Sequence, residues 1–67
     1  MGSRWCEGYT LLDPLGQALG RVERMFGNRA GEPQYVGIRA GLFGKRLVLI
    51  PVMDVAIDSG HMTITLR

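Results

Sequence analysis

The chain has 67 residues, eight Lys/Arg against six Asp/Glu, and a formal net charge of +2. That length fits one small domain. The charge excess does not demand a nucleic-acid partner, and a single cysteine rules out an intramolecular disulfide.

Residues 1–8 read as an N-terminal tail carrying Trp5 and Cys6, and residues 9–67 as the folded domain. Trp5 either pins the tail to the domain or belongs to a frayed end. Tyr9-Thr10-Leu11-Leu12 reads as a first strand. Asp13-Pro14-Leu15-Gly16 follows the preference of a type I turn, with Asp first, Pro second and Gly fourth. Leu19 to Phe26 reads as a second strand. The span from Val22 to Met25 breaks the period of two, which predicts a bulge. A short helix competes there, but Gly20 and Gly27 weigh against it. Asn28 to Pro33 supplies loop chemistry through Asn, Gly and Pro.

Tyr35 to Val52 is the centre of the chain. Val36 and Ile38 alternate with Tyr35, Gly37 and Arg39, which puts them on one face of a strand. Leu47-Val48-Leu49-Ile50 is apolar throughout, the pattern of a strand covered on both faces. Between them lies Ala40-Gly41-Leu42-Phe43-Gly44, whose glycines suit a tight reversal. Leu42 and Phe43 either fold back as a plug in the core or contact a partner. Pro51 has no N–H and belongs at a strand end or edge. Val55-Ala56-Ile57 reads as a short strand and Asp58-Ser59-Gly60 as a turn. His61 to Leu66 reads as the last strand, with Met62, Ile64 and Leu66 inward and Thr63 and Thr65 outward. The fold class that follows is all-β: a small barrel or sandwich of about six short strands.

The central residues carry a family resemblance. Tyr35 and Val36, the loop Gly41, Leu42, Phe43 and Gly44, and the strand end Ile50 and Pro51 form one pattern. It resembles the PRC-barrel family, the small β-barrels related to the cytoplasmic domain of the photosynthetic reaction centre H subunit. Gly16, Gly20, Val22 and Glu23 resemble that family's opening strand pair. The similarity runs from about Tyr9 to Leu66 and implies a PRC-barrel-like barrel of short antiparallel strands. It also implies a binding or assembly role. One relative, the ribosome-maturation factor, contacts a ribosomal protein through such a barrel, and the reaction-centre subunit uses one in a membrane complex. These residues include neither the former's companion N-terminal domain nor the latter's membrane helix. A shared fold does not fix a function.

No catalytic motif stands out. Gly44-Lys45 fails the P-loop pattern, because Arg39 stands where glycine is needed and Arg46 where Ser or Thr is needed. A single histidine and a single cysteine cannot build an ordinary protein-only zinc site. His61 reads as a surface residue beside a turn, with no paired carboxylate close in sequence. Asp54 and Asp58 diverge on an extended chain. Cys6 in a flexible tail lacks a neighbouring base. The expectation is a non-enzyme without metal or cofactor.

The candidate partner-binding residues are Leu42, Phe43, Lys45 and Arg46, an apolar tip with a basic collar. A chain this short buries only about 60% of its unfolded surface, so self-association, as a homodimer, is expected. A protein partner is the first reading. RNA bound through Arg21, Arg24, Arg39, Lys45 and Arg46 is the alternative, with few aromatics for base stacking. The longest apolar run, Leu47 to Met53, falls short of the ~20 residues of a membrane span, so no membrane insertion is expected. No apolar leader is present and position 6 is Cys6 where myristoylation wants Ser or Thr. The expected location is the cytoplasm.

Overall fold

A computed structural model describes residues 2–3, 5–41 and 44–67. The chain is all-β. Its strands are β1 (Gly2–Ser3), β2 (Thr10–Leu12), β3 (Ala18–Gly27), β4 (Pro33–Ala40), β5 (Arg46–Pro51), β6 (Val55–Asp58) and β7 (Thr63–Leu66). A 3-10 turn, Val52–Asp54, joins β5 to β6. One sheet contains all the strands, in the order β5-β4-β3-β2-β7-β6, with β1 paired to β3 off this path.

The sheet must curl, and chain length shows why. Six strands laid flat at ~4.8 Å spacing would separate β5 from β6 by about 24 Å. The link from Pro51 to Val55 reaches at most about 14 Å when fully extended. The opposite edges are therefore drawn together at this end, and the sheet forms a curled half-barrel. The edges do not pair with each other, so the wall stays open between β5 and β6.

The strands expected from sequence were antiparallel, and one pair differs. Leu11 lies beside Ile64 in a parallel β2–β7 ladder. The cause is the crossing at Val52–Asp54. It carries the chain from one edge of the sheet to the other, and the β6–β7 hairpin then docks beyond β2. The last residue closes this region, with Arg67 N donating to Asp54 O at 2.9 Å and Arg67 Nε to Val55 O at 3.1 Å.

Two loops solve the same local problem in the same way. Asp13 Oδ1 accepts from the N–H of Leu15 at 2.9 Å and of Gln17 at 2.8 Å. Asn28 Oδ1 accepts from the N–H of Ala30 at 2.9 Å and of Glu32 at 3.0 Å. In each loop the fourth residue is a glycine at positive φ, Gly16 at 88° and Gly31 at 81°. The Asx side chain satisfies N–H groups that a loop leaves orphaned, and glycine takes a backbone shape other residues resist.

Residues directly opposite in a ladder project to the same face. Val36 lies opposite Ile50 and Ile38 opposite Val48. Across β3, Met25 meets Val36 and Val22 meets Ile38. These residues form the inner face. The core is Cys6, Leu11, Val22, Met25, Val36, Ile38, Val55 and Ile64, all buried. Each large aliphatic among them contributes about 1.5–3 kcal/mol relative to exposure.

The bulge expected in β3 is present at Glu23: Val22 pairs with Ile38 and Arg24 with the next residue, Gly37. Two departures concern single residues. Cys6 is 4% exposed and belongs to the core. Met62, expected to face inward, is 58% exposed; it sits before β7 at φ 54°, so the strand alternation does not reach it.

Candidate interaction surface

The central hairpin forms as expected. Tyr35 pairs with Pro51 and each residue after it in turn, through to Ala40 with Arg46, without a register shift. The turn between the strands closes with Gly44 N donating to Gly41 O at 3.1 Å. Leu42 and Phe43 lie outside the described residues. Lys45 and Arg46 are exposed, Arg46 opening β5. A Cβ on Gly41 would stand 3.4 Å from Arg46 Cδ, so the stem of Arg46 runs beside this turn.

β5 differs from expectation in its surroundings. Its apolar run was expected to be covered on both faces. Leu47 is 46% exposed, Val48 38% and Leu49 52%. The reason is position: β5 is an end strand of the sheet and pairs with β4 alone. Val48 points to the inner face yet stays exposed, because the open seam beside β5 leaves that face uncovered.

The outer face of β3, β4 and β5 carries a mixed apolar and basic surface. Leu49 lies opposite Gly37 and Leu47 opposite Arg39. Phe26 lies opposite Tyr35, Arg24 opposite Gly37 and Arg21 opposite Arg39. A Cβ on Gly37 would lie 2.8 Å from Phe26 Cε2, so the Phe26 ring covers the space that glycine leaves. Arg21 and Arg39 are like charges across the ladder, an unfavourable pairing alone. Glu23 offsets it, with Arg39 Nε 2.7 Å from Glu23 Oε2.

Asp58 and His61 form a pair that the sequence reading missed. His61 Nδ1 lies 2.7 Å from Asp58 Oδ2, and His61 N donates to Asp58 Oδ1 at 3.2 Å. These hydrogen bonds hold the Asp58 carboxyl below its ordinary value. The available signal was spacing: a turn between residues three apart folds the second back onto the first. Burial pushes the Cys6 thiol up, away from the thiolate form that nucleophiles use. Among the described residues, no three His, Cys, Asp or Glu side chains gather as a metal site. No described helix is long and apolar enough to cross a membrane.

No family model matches the chain, and no curated protein matches its sequence.

Proposed function

We propose that the chain is a non-enzymatic, PRC-barrel-like assembly module of the cytoplasm that self-associates and binds another protein. One observation carries this reading. The apolar edge strand β5 stands open beside the basic pair Lys45 and Arg46. An exposed apolar edge is a template for pairing with another chain, and monomeric proteins blunt such edges. The resemblance of the central hairpin to the PRC-barrel pattern agrees with an assembly role. Leu42 and Phe43, beside the same basic pair in sequence, are the proposed docking tip for a protein partner.

Light scattering tests the first half of this reading: the chain should run at twice its 7.4 kDa mass at micromolar concentration. A fully stable monomer there would refute it. Replacing Leu42 and Phe43 together by Ser tests the second half. Loss of partner capture by a variant that stays folded supports a docking tip, whereas unfolding supports a plug in the core.

A second reading is RNA bound through Arg21, Arg24, Arg39, Lys45 and Arg46, the first three of which share the outer face with Tyr35. RNA held there through its phosphates would bind less tightly as salt rises. Affinity that does not change between low and physiological salt removes this reading.

A further inference from the structure

We infer that β5 is the self-association surface, and that it pairs antiparallel with β5 of a second copy across a two-fold axis. The inference rests on the self-association proposed above and assigns it to particular residues.

β5 is the least protected edge of the sheet. The β2–β3 and β3–β4 ladders both contain register shifts, whereas the β4–β5 ladder has none. Bulges and inward charges guard natural edges against pairing. Between Arg46 and Pro51, β5 has only Leu47, Val48, Leu49 and Ile50. The opposite edge, β6, is short and ends in exposed Asp58.

Charge selects the occupant and its direction. The start of β5 is basic, with Lys45 and Arg46. Its far end leads through Pro51 to exposed Asp54. A parallel copy would set the basic ends together. An antiparallel copy centred on Leu49 places Lys45 and Arg46 beside the partner copy's Pro51–Asp54 segment. Opposite charges then meet at both ends, and the apolar residues meet in the middle. This arrangement is isologous, so it closes at two chains. Leu47 and Leu49 would come together with those of the second copy on the outer face, and Val48 and Ile50 on the inner face.

The experiment is sedimentation equilibrium of the whole chain from low to high micromolar concentration. The unmodified chain should show twice 7.4 kDa, and Leu49→Lys should show 7.4 kDa. Lys45→Asp with Arg46→Asp should weaken the dimer by about tenfold or more, as should Asp54→Arg alone. The triple variant should restore it. Every residue changed is exposed, and circular dichroism reports whether each variant is folded. If Leu49→Lys unfolds, the charge reversals decide. A dimer that survives Leu49→Lys and both charge variants overturns the β5 interface while leaving self-association in place. A chain that is monomeric throughout overturns both. Masses that climb past two chains overturn the two-fold arrangement.

Discussion

Glu23, the extra residue that β3 inserts opposite β4, grips Arg39 through two contacts. Arg39 Nε lies 2.7 Å from Oε2 and Arg39 Nη2 donates to Oε1 at 3.3 Å. The insertion and the ion pair have separate consequences. Val22 and Met25 are both buried although three positions apart, which strict alternation forbids. The extra residue resets the alternation, so Met25 points inward and Arg24 stays outside. Deleting Glu23 should leave Val22 inward, Arg24 outward and Met25 inward in a regular ladder, because the pairings on either side of the bulge are already consecutive on β4. The cost should come from the lost bend and twist of the bulge together with the lost ion pair. Glu23→Gln keeps the insertion and removes the charge. It should cost less than about 1 kcal/mol, and less again in high salt, since both side chains are part-exposed. Urea titration of the two variants checks this. Equal losses would show that the bulge contributes nothing to stability beyond the ion pair.

Gly20 and Gly37 both lie where strands approach closely, but their substitutions should differ. A Cβ on Gly20 would collide with the backbone oxygen of Arg39. Backbone inside a ladder cannot step aside without breaking the ladder. A Cβ on Gly37 would meet the edge of the Phe26 ring at 2.8 Å, and a half-buried ring can swing outward. Gly20→Ala should cost about 3 kcal/mol and Gly37→Ala about 1 kcal/mol. Chemical denaturation measures both. A Gly20→Ala variant as stable as the unmodified chain would contradict the close packing of β3 on β4.

Cys6 is buried in the core, and burial raises its thiol pKa. A thiol reagent at mildly alkaline pH should therefore label the folded chain far more slowly than the chain in denaturant. The sign for stability follows. The unfolded thiol ionises first, so the contribution is present below its ordinary value and declines as pH rises above it. Labelling at equal rates in both states would place Cys6 outside the core.

Local chemistry was legible in the sequence where one residue decides the local geometry. Asp13 and Gly16 announced their turn, the Val22 to Met25 spacing announced the bulge, and the Tyr35 to Val52 stretch announced the hairpin. Long-range order was not. Nothing in Leu47-Val48-Leu49-Ile50 states that β5 ends the sheet, because a fully covered strand and an apolar edge share one pattern. The parallel pairing of Leu11 with Ile64 was equally hidden, since it depends on where the Val52–Asp54 turn sends the chain. Of the surface residues chosen from sequence, Lys45 and Arg46 are exposed at the open edge. Leu47 and Leu49 were assigned to the interior and lie on the surface.

The turn joining β6 to β7 should respond to acid through Asp58. Its carboxyl is held below the ordinary aspartate value, first by the His61 side-chain hydrogen bond and then by the His61 backbone N–H. A lowered folded pKa means that the unfolded chain takes up the proton first. The stabilising contribution is therefore complete above the ordinary aspartate value and is lost as pH falls through the lowered one. Carboxyl carbon shifts followed by NMR should give Asp58 a midpoint below that of an unstructured aspartate. His61→Ala should move the midpoint upward, and only part of the way, because the backbone N–H still donates. An Asp58 midpoint that does not move in His61→Ala would show that the imidazole at 2.7 Å does not hold the carboxylate.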